Sequence, residues 1–347
     1  MTATRSKLDL QEDQRVNVSK AEAVSCMVAI FERLGNTPEV ARCVAEHLAE
    51  TSLSGMESHG VMRTLQYAEQ MQNGYLSVGV DTQVIRAPSG ATHVDGGGGI
   101  GIPAMVQAYE TGMQMAVQTG VSALAIRNVG HTGRHGAFAD KAGQEGFLTI
   151  CVGGGNRKNW PQVAPHGGAK GLLPTNPWCI GIPGGARGPV VLDFATSKIA
   201  GGWIYAARSA GAQLPDGCLI DRDGNPSRDP EAYFSGGAIL PAGGHKGYGL
   251  ALMGEMIGEA MLGPSSTECN WLLVTLRCDH FRETSAMEVA AEAVLSDMRN
   301  CPPAPGFDCV EVPGERERDQ YVKSGDRIAI PKATWRQIQE LEAGLKA

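Results

Sequence analysis

The 347-residue sequence predicts a mixed α/β core flanked by helices drawn from both ends of the chain. Three observations predict it. Apolar residues recur at helical spacing from residue 19 to residue 72. Beyond Gly74, short apolar runs bounded by Gly or Pro alternate with helical stretches. The helical period then returns over residues 286–298 and 333–345.

Ser19, with Glu22 three residues on, forms a capping-box signature, and Val24, Met27, Val28, Phe31 and Leu34 line one face of the helix it starts. Asn36-Thr37-Pro38 breaks that helix. Val40–Leu53 reads as the second, with Val44, Leu48 and Leu53 inward, and Val61–Gln72 as the third, stopped by Asn73-Gly74. Thr92–Asp95, Ser122–Arg127, Leu148–Val152, Trp178–Ile182 and Val190–Phe194 read as strands. Helices are expected at Ala104–Thr119, Gly136–Glu145, Tyr248–Leu262, Ala286–Met298 and Ala333–Leu345. No internal repeat and no low-complexity linker interrupts the series.

Composition narrows the function. A formal charge of −7 argues against a nucleic-acid surface, which needs clustered Lys and Arg. No run of 18 apolar residues exists to cross a membrane, and MTATRSKLDLQEDQ lacks the apolar stretch of a secretory signal. The nine cysteines are scattered, with no CxxC pair, which fits free thiols in a cytoplasmic protein. The 46 glycines lie mostly in the connections between elements. Gly96–Gly101 formally matches GxGxxG, the dinucleotide fingerprint. A four-glycine run meets that pattern cheaply, and the following strand ends in Arg127-Asn128 without an acidic residue for a ribose, so a tight turn is the better reading.

Four segments carry residues suited to chemistry. In Ser58-His59-Gly60 the histidine can exchange a proton near neutral pH, and Arg63 lies one helical turn on with a planar fork suited to a carboxylate. The same residues also read as an N-cap, a surface histidine and a solvated charge. Asn128–Gly136 sits between a strand and a helix, where Thr132, Gly133 and backbone N–H groups can hold an anion and Arg134 adds charge. His131 and His135 are four apart but lack the Glu of HExxH and a third ligand, so no metal is expected. Asp193 ends an apolar strand, where it can steady an imidazolium or cap a helix. Lys246 stands among glycines ahead of a helix; the segment fails GxxxxGK[ST], which disfavours a triphosphatase.

Taken in order, SHGVMR (58–63), VGHTGRHG (129–136), VAPHGG (163–168), LPTNP (173–177), VLDFATS (191–197), GGHKGYGL (243–250) and VPGE (312–315) resemble the malate/L-lactate dehydrogenase-like oxidoreductases. This group is distinct from the Rossmann-type enzymes of similar name. It includes hydroxycarboxylate dehydrogenase, ureidoglycolate dehydrogenase and Δ1-piperideine-2-carboxylate reductase. The resemblance runs from about residue 19 to the C-terminus. It implies a largely antiparallel mixed sheet, non-Rossmann, that binds NAD or NADP over residues 76–309, with residues 1–75 and 310–347 forming a helical domain. It also implies a homodimer or larger assembly.

By the same resemblance, His59 is the proton donor, with Ser58 and Asp193 as its polar partners. Arg63 binds the substrate carboxylate and Thr175 sits near the substrate. The cofactor would run along His131, Thr132, Gly133, Arg134 and His135, then Thr175, Asn176 and Pro177, then Lys246, then Gly314, Glu315 and Arg316. Arg127, Arg134 and Arg316 are candidate partners for a 2′-phosphate. The implied reaction moves hydride between nicotinamide and the carbon beside a carboxylate, with a 2-oxo acid/2-hydroxy acid pair as substrate. Reduction of a cyclic imine such as Δ1-piperideine- or Δ1-pyrroline-2-carboxylate is the alternative, and an inactive binding protein is the alternative of another class. The form HTGR at 131–134 is nearer the hydroxycarboxylate members. The run Gly153–Trp160, with Arg157, Lys158 and Trp160, departs from the family's commoner Asn-rich text. It reads as a reshaped pocket wall or as an exposed basic turn.

Overall fold

A computed structural model describes residues 14–210 and 212–345; the segment read above for a secretory signal falls almost wholly outside them. The two ends of the chain meet. Strand β1 (Arg15–Ser19) pairs antiparallel with β12 (Arg327–Pro331), so residues more than three hundred positions apart share one ladder. Around that ladder pack α1 (Lys20–Arg33), α2 (Pro38–Leu53), α3 (Arg63–Gln72) and α11 (Lys332–Gly344). The capping signature at Ser19 operates as expected, its hydroxyl accepting the Glu22 N–H.

The main sheet has seven strands in the order β2 (Gln83–Arg86), β3 (Thr92–Asp95), β4 (Val121–Arg127), β11 (Asn270–Arg277), β5 (Phe147–Gly154), β6 (Trp178–Gly185) and β7 (Gly188–Phe194). Every pairing is antiparallel except β3 with β4, which are parallel and joined by α4 (Gly101–Thr119). The mixed, mostly antiparallel, non-Rossmann sheet expected above is therefore the one found. Helix α4 packs on β4 and β11, and α5 (His135–Gln144) on β5, β6 and β7. A continuous core runs from Phe31, Leu48 and Tyr67 through Met105 to Leu124, Ile126 and Leu273.

Between β7 and β11 lie α6 (Gly201–Ala210), the short strands β8 (Leu219–Ile220), β9 (Pro226–Ser227) and β10 (Ala238–Ile239), and α7 (Pro230–Phe234). They close over a separate small core containing Val163, Leu173, Ile204 and Leu219. Helix α8 (His245–Glu255) follows, then α9 (Thr284–Arg299) against β6 and α10 (Glu315–Ser324) against α2.

The long helix expected at Tyr248–Leu262 is interrupted. Regular α8 ends at Glu255 and a wide π turn covers Met256–Met261. The cause is close approach of two backbones: a Cβ at Gly258 would lie 2.6 Å from Gly154 Cα. The wider turn also lets the buried Glu255 point inward, where it accepts the N–H groups of Gly155 and Arg157, both at 3.1 Å.

Candidate active site

The glycine run Gly96–Gly101 is a turn, and its neighbours explain it. Gly96 N–H donates to Arg127 O at 3.0 Å and Gly98 N–H to Asn128 O at 2.8 Å. Gly130 N–H donates to Gly99 O at 2.8 Å and Gly101 N–H to His131 O at 3.0 Å. A Cβ on Gly101 would sit 2.6 Å from Gly130 O. The glycines thus let two backbone segments zip together, and the product is a fixed loop carrying His131.

Opposite that loop is the turn between α2 and α3. Val61 N–H donates to Ser52 Oγ at 2.9 Å, pinning the turn to α2. Ser58 Oγ lies 2.9 Å from His59 Nδ1. Arg63 Nε donates to Ser58 O at 2.6 Å, and its Nη1 also meets Gln66 Oε1. One turn further on, Tyr67 is fully buried, with its hydroxyl 2.6 Å from His131 Nδ1. Gly133 N–H reaches the same nitrogen at 3.2 Å. A nitrogen that accepts a backbone N–H carries no proton, so Tyr67 donates to it and the His131 proton sits on Nε2. The His59 and His131 rings are 5.4 Å apart.

Both imidazoles are held neutral. Burial first, then the Arg63 charge, pushes His59 down from 6.5 to about 3. The same two causes hold His131 well below the usual histidine range. Ser58, His59, Arg63, His131 and Tyr67 therefore bring a cation, neutral imidazoles and two hydroxyls to one place. Tyr67 is four residues beyond Arg63 on the same helical face, a spacing that could have marked it in the sequence.

Asp193 is placed elsewhere than His59. Its carboxylate accepts the Gly136 N–H at 2.6 Å, at the N-terminus of α5, where a negative charge is favoured. The pairing of Asp193 with His59 is thus not made, because β7 delivers the carboxylate to α5; the helix it caps is also not the one that follows it in sequence. Arg134 lies beside it: a Cβ on Gly136 would be 3.2 Å from both Arg134 Nη2 and Asp193 Oδ2. The two residues line a cleft of about 250 Å³ together with Met56, Val191, Leu192, Pro313, Gly314 and Arg316. The walls of the cleft raise the Asp193 carboxyl pKa, against the Gly136 N–H and the Arg134 charge. His47, which carries no sequence signal, sets the loop above: Arg134 N–H donates to its Nε2 at 3.0 Å, and its ring stacks on Phe138 at 4.9 Å.

The other expected cofactor residues divide. Within the 131–135 loop, Thr132 and His135 turn into the core, bonded to each other at 2.7 Å, with the His135 ring 4.0 Å from that of Trp271. Thr175 offers its carbonyl to the Thr196 N–H at 2.9 Å, and Pro177 offers its own to Gly153 N–H at 3.0 Å. Asn176 is fully buried and donates to Glu255 at 2.7 Å, while its Oδ1 has no partner among the described residues. Lys246 is exposed at the start of α8 and does not line the cleft. Glu315 is committed to ion pairs with Arg187 at 2.8 Å and Arg299 at 2.5 Å, while its neighbours Gly314 and Arg316 face the cleft. Arg157 is tied to Glu259 at 2.7 Å. Among the described residues no group of three His, Cys, Asp or Glu side chains could hold a metal, and no helix is long and apolar enough to cross a membrane.

The cleft sets Arg134 and Arg316 beside an apolar wall of Met56, Val191 and Pro313 and beside three carboxylates, Asp193, Glu311 and Glu317, with Arg316 ion-paired to Glu317 at 2.5 Å. The apolar wall suits the flat rings of a dinucleotide, and Arg134, in no ion pair among the described residues, is the cation open to a phosphate. The positive φ of +93° at Gly314 keeps a side chain out of that wall. A family model described as malate/L-lactate dehydrogenase matches residues 18–339. The chain is 36% identical over 257 residues to a Δ1-pyrroline-2-carboxylate/Δ1-piperideine-2-carboxylate reductase of Pseudomonas putida, covering 74% of each. It is 30% identical over 333 residues to an L-sulfolactate dehydrogenase of Methanocaldococcus jannaschii, covering 92% of this chain and 95% of the relative. The fold matches the solved malate dehydrogenase of Pyrococcus horikoshii with a TM-score of 0.84 at 26% identity, over 96% of both chains.

Proposed function

The chain belongs to the malate/L-lactate dehydrogenase family of oxidoreductases, and from that membership we propose that it moves hydride between NAD or NADP and a carbon bearing a carboxylate. A 2-oxo acid and its 2-hydroxy acid are the substrate pair. The observation that carries this is the grouping of the two neutral imidazoles of His59 and His131, 5.4 Å apart, with the Arg63 guanidinium that meets Ser58 beside them.

Bound nicotinamide supplies or takes the hydride. Arg63 holds the substrate carboxylate through the guanidinium edge left free by Ser58 and Gln66. His59, oriented by Ser58, exchanges the proton at the substrate oxygen. Arg63 is the second cause of the depressed His59 pKa, so a carboxylate on Arg63 cancels part of that effect and readies His59 to hold a proton. His131, locked as the Nε2–H tautomer, donates to the same oxygen as charge develops there. In the cleft, Arg134 is the cation placed to hold a phosphate of the dinucleotide, while Arg316 is paired with Glu317 at 2.5 Å.

A second reading has its own support. The Pseudomonas putida relative is named for reduction of cyclic imino acids, which present a C=N carbon beside a carboxylate. We further take the protein as cytoplasmic, since none of its nine cysteines is joined in a disulfide. We take it as a homodimer, because Leu252, Met253 and Met256 expose apolar surface along one helix. The test is a screen of 2-oxo acids and cyclic imines with each cofactor, followed at the reduced nicotinamide absorbance. Oxidation of NADH or NADPH with acids of either class supports the proposal. Oxidation with neither would overturn it.

A further inference from the structure

A buried carboxylate that the chemistry above does not use ties together the loops around the site. Glu255 is 5% exposed and ends α8. It reaches the interior because Gly254 and Gly154 run in contact: a Cβ on Gly154 would lie 2.2 Å from Gly254 O. Three N–H donors converge on it. Gly155 N–H donates to Oε2 at 3.1 Å, Arg157 N–H to Oε1 at 3.1 Å, and Asn176 Nδ2 to Oε2 at 2.7 Å. Among the described residues it forms no ion pair, and the Arg157 guanidinium goes to Glu259 instead.

A carboxylate met by three N–H donors serves only as an acceptor, so it decides which way the Asn176 amide turns. The Asn176 NH2 faces Glu255 and, at 3.4 Å, Gly153 O. Oδ1 therefore points the other way, buried and without a partner among the described residues. Buried amide oxygens are normally satisfied, so one held open calls for a donor from outside the chain. The backbone on either side is fixed as well: the Thr175 carbonyl accepts Thr196 N–H at 2.9 Å, and the Pro177 carbonyl accepts Gly153 N–H at 3.0 Å.

The same network reaches the reacting groups. Asn156 follows Gly155 and donates Nδ2 to Thr267 O, and the Thr267 hydroxyl donates to Val129 O, in the loop that carries His131. The open oxygen thus belongs to a frame fastened to one of the two imidazoles. A nicotinamide dinucleotide carries two NH2 groups, one on the carboxamide of the reacting ring and one on the adenine at its far end.

We propose that Glu255 is a positioning residue: by holding the Asn176 NH2 it presents Asn176 Oδ1 as the acceptor for the carboxamide NH2 of the nicotinamide. The proposal rests on the reading of the protein as a nicotinamide-dependent enzyme. Anchoring the carboxamide fixes which face of the ring meets the substrate.

Calorimetric titration of the whole chain tests this with three oxidised dinucleotides, in the NAD or NADP series, whichever wild type binds more tightly. The parent carries both NH2 groups, the 3-acetylpyridine analogue lacks the carboxamide one, and the hypoxanthine analogue lacks the adenine one. Wild type is expected to bind the parent and the hypoxanthine analogue roughly fivefold more tightly than the acetylpyridine analogue. Glu255→Gln frees the amide to turn, and should bring all three within about twofold by weakening only the two that carry the carboxamide. Asn176→Ala removes the acceptor, leaves Glu255 its two backbone donors, and should erase the same preference. An unchanged affinity for the acetylpyridine analogue shows that each variant is still folded. Equal weakening of all three in Glu255→Gln overturns the positioning role, and in Asn176→Ala it overturns the acceptor. Wild type that binds the acetylpyridine analogue as well as the parent, or that disfavours the hypoxanthine analogue instead, overturns the carboxamide assignment. Failure of wild type to bind any of the three overturns the cofactor reading beneath it.

Discussion

The imidazoles of His59 and His131 lie 5.4 Å apart, centroid to centroid, with their planes tilted by 35°. They come from different parts of the chain, one from the turn after α2 and the other from the loop zipped to Gly96–Gly101. Both are neutral, and the hydrogen bonds from Tyr67 and Gly133 leave His131 with its proton on Nε2. One imidazole is thus set to exchange a proton and the other to donate a hydrogen bond.

Tyr67→Phe removes the hydroxyl that helps fix the His131 tautomer and leaves a buried acceptor served by Gly133 alone. A buried hydrogen bond of this kind contributes about 1–2 kcal/mol, so kcat/KM should fall roughly tenfold. Steady-state kinetics with the preferred acid checks this. A change of less than twofold would detach His131 from the reaction.

Arg63→Lys keeps the charge and loses the planar fork. The expected result is a rise in KM for the acid of roughly tenfold, with a smaller change in kcat. Arg63→Met should also raise the His59 pKa, because the Arg63 charge is a named cause of its depression. Histidine NMR titration reads that shift directly; no upward movement would show that burial alone sets it.

Stability should depend on pH through the buried histidines. His47, His59 and His135 are each lowered from 6.5 to about 3. Between those values the unfolded chain binds protons that the folded chain refuses, so stability is full above pH 6.5 and is lost as pH falls toward 3. The raised carboxyls of Asp193 and Glu268 act in the opposite sense within the carboxylate range. Tm should therefore be flat from pH 7 to 8 and drop steadily below 6.5. A Tm unchanged down to pH 4.5 would contradict the buried neutral cluster.

Two glycines with similar backbones separate strain from crowding. Gly133 has φ +74° and Gly74 has φ +77°. A Cβ at Gly133 would enter the His47 ring, 2.7 Å from its Cδ2, whereas one at Gly74 meets nothing within 4 Å. Gly74→Ala should cost about 1 kcal/mol from the backbone alone. Gly133→Ala should cost about 3 kcal/mol or more and loosen the Arg134 N–H bond to His47. Thermal denaturation of the two variants, with cofactor titration, decides it; equal losses would mean that the His47 contact is soft.

Local signals carried far in this sequence because they report on chemistry close to the backbone. The Ser19 cap, the Pro38 break and the Asn73-Gly74 stop all fall where the residues require. What escaped was set by partners distant in sequence. Strand β11 occupies the centre of the sheet, yet Asn270–Arg277 went unread, since an apolar run of eight residues without clear alternation does not declare its partners. Strand β2 is exposed at the sheet edge and shows no inward face to find. The π turn after Glu255 depends on glycine backbones from β5. The same limit holds in the site: Ser58, His59 and Arg63 share a local spacing, whereas the destinations of Asp193 and Glu315 are set by partners on other elements, Gly136 for the first and Arg187 and Arg299 for the second.

The central claim is that His59 exchanges the substrate proton while the phosphates of the cofactor are held apart from it, along the cleft that Arg134 lines. The most direct measurement is His59→Ala, with cofactor affinity by fluorescence titration and turnover followed at the reduced nicotinamide absorbance. The account predicts cofactor affinity within about twofold of wild type and turnover reduced by roughly 10²–10⁴-fold. Full turnover in His59→Ala would contradict it.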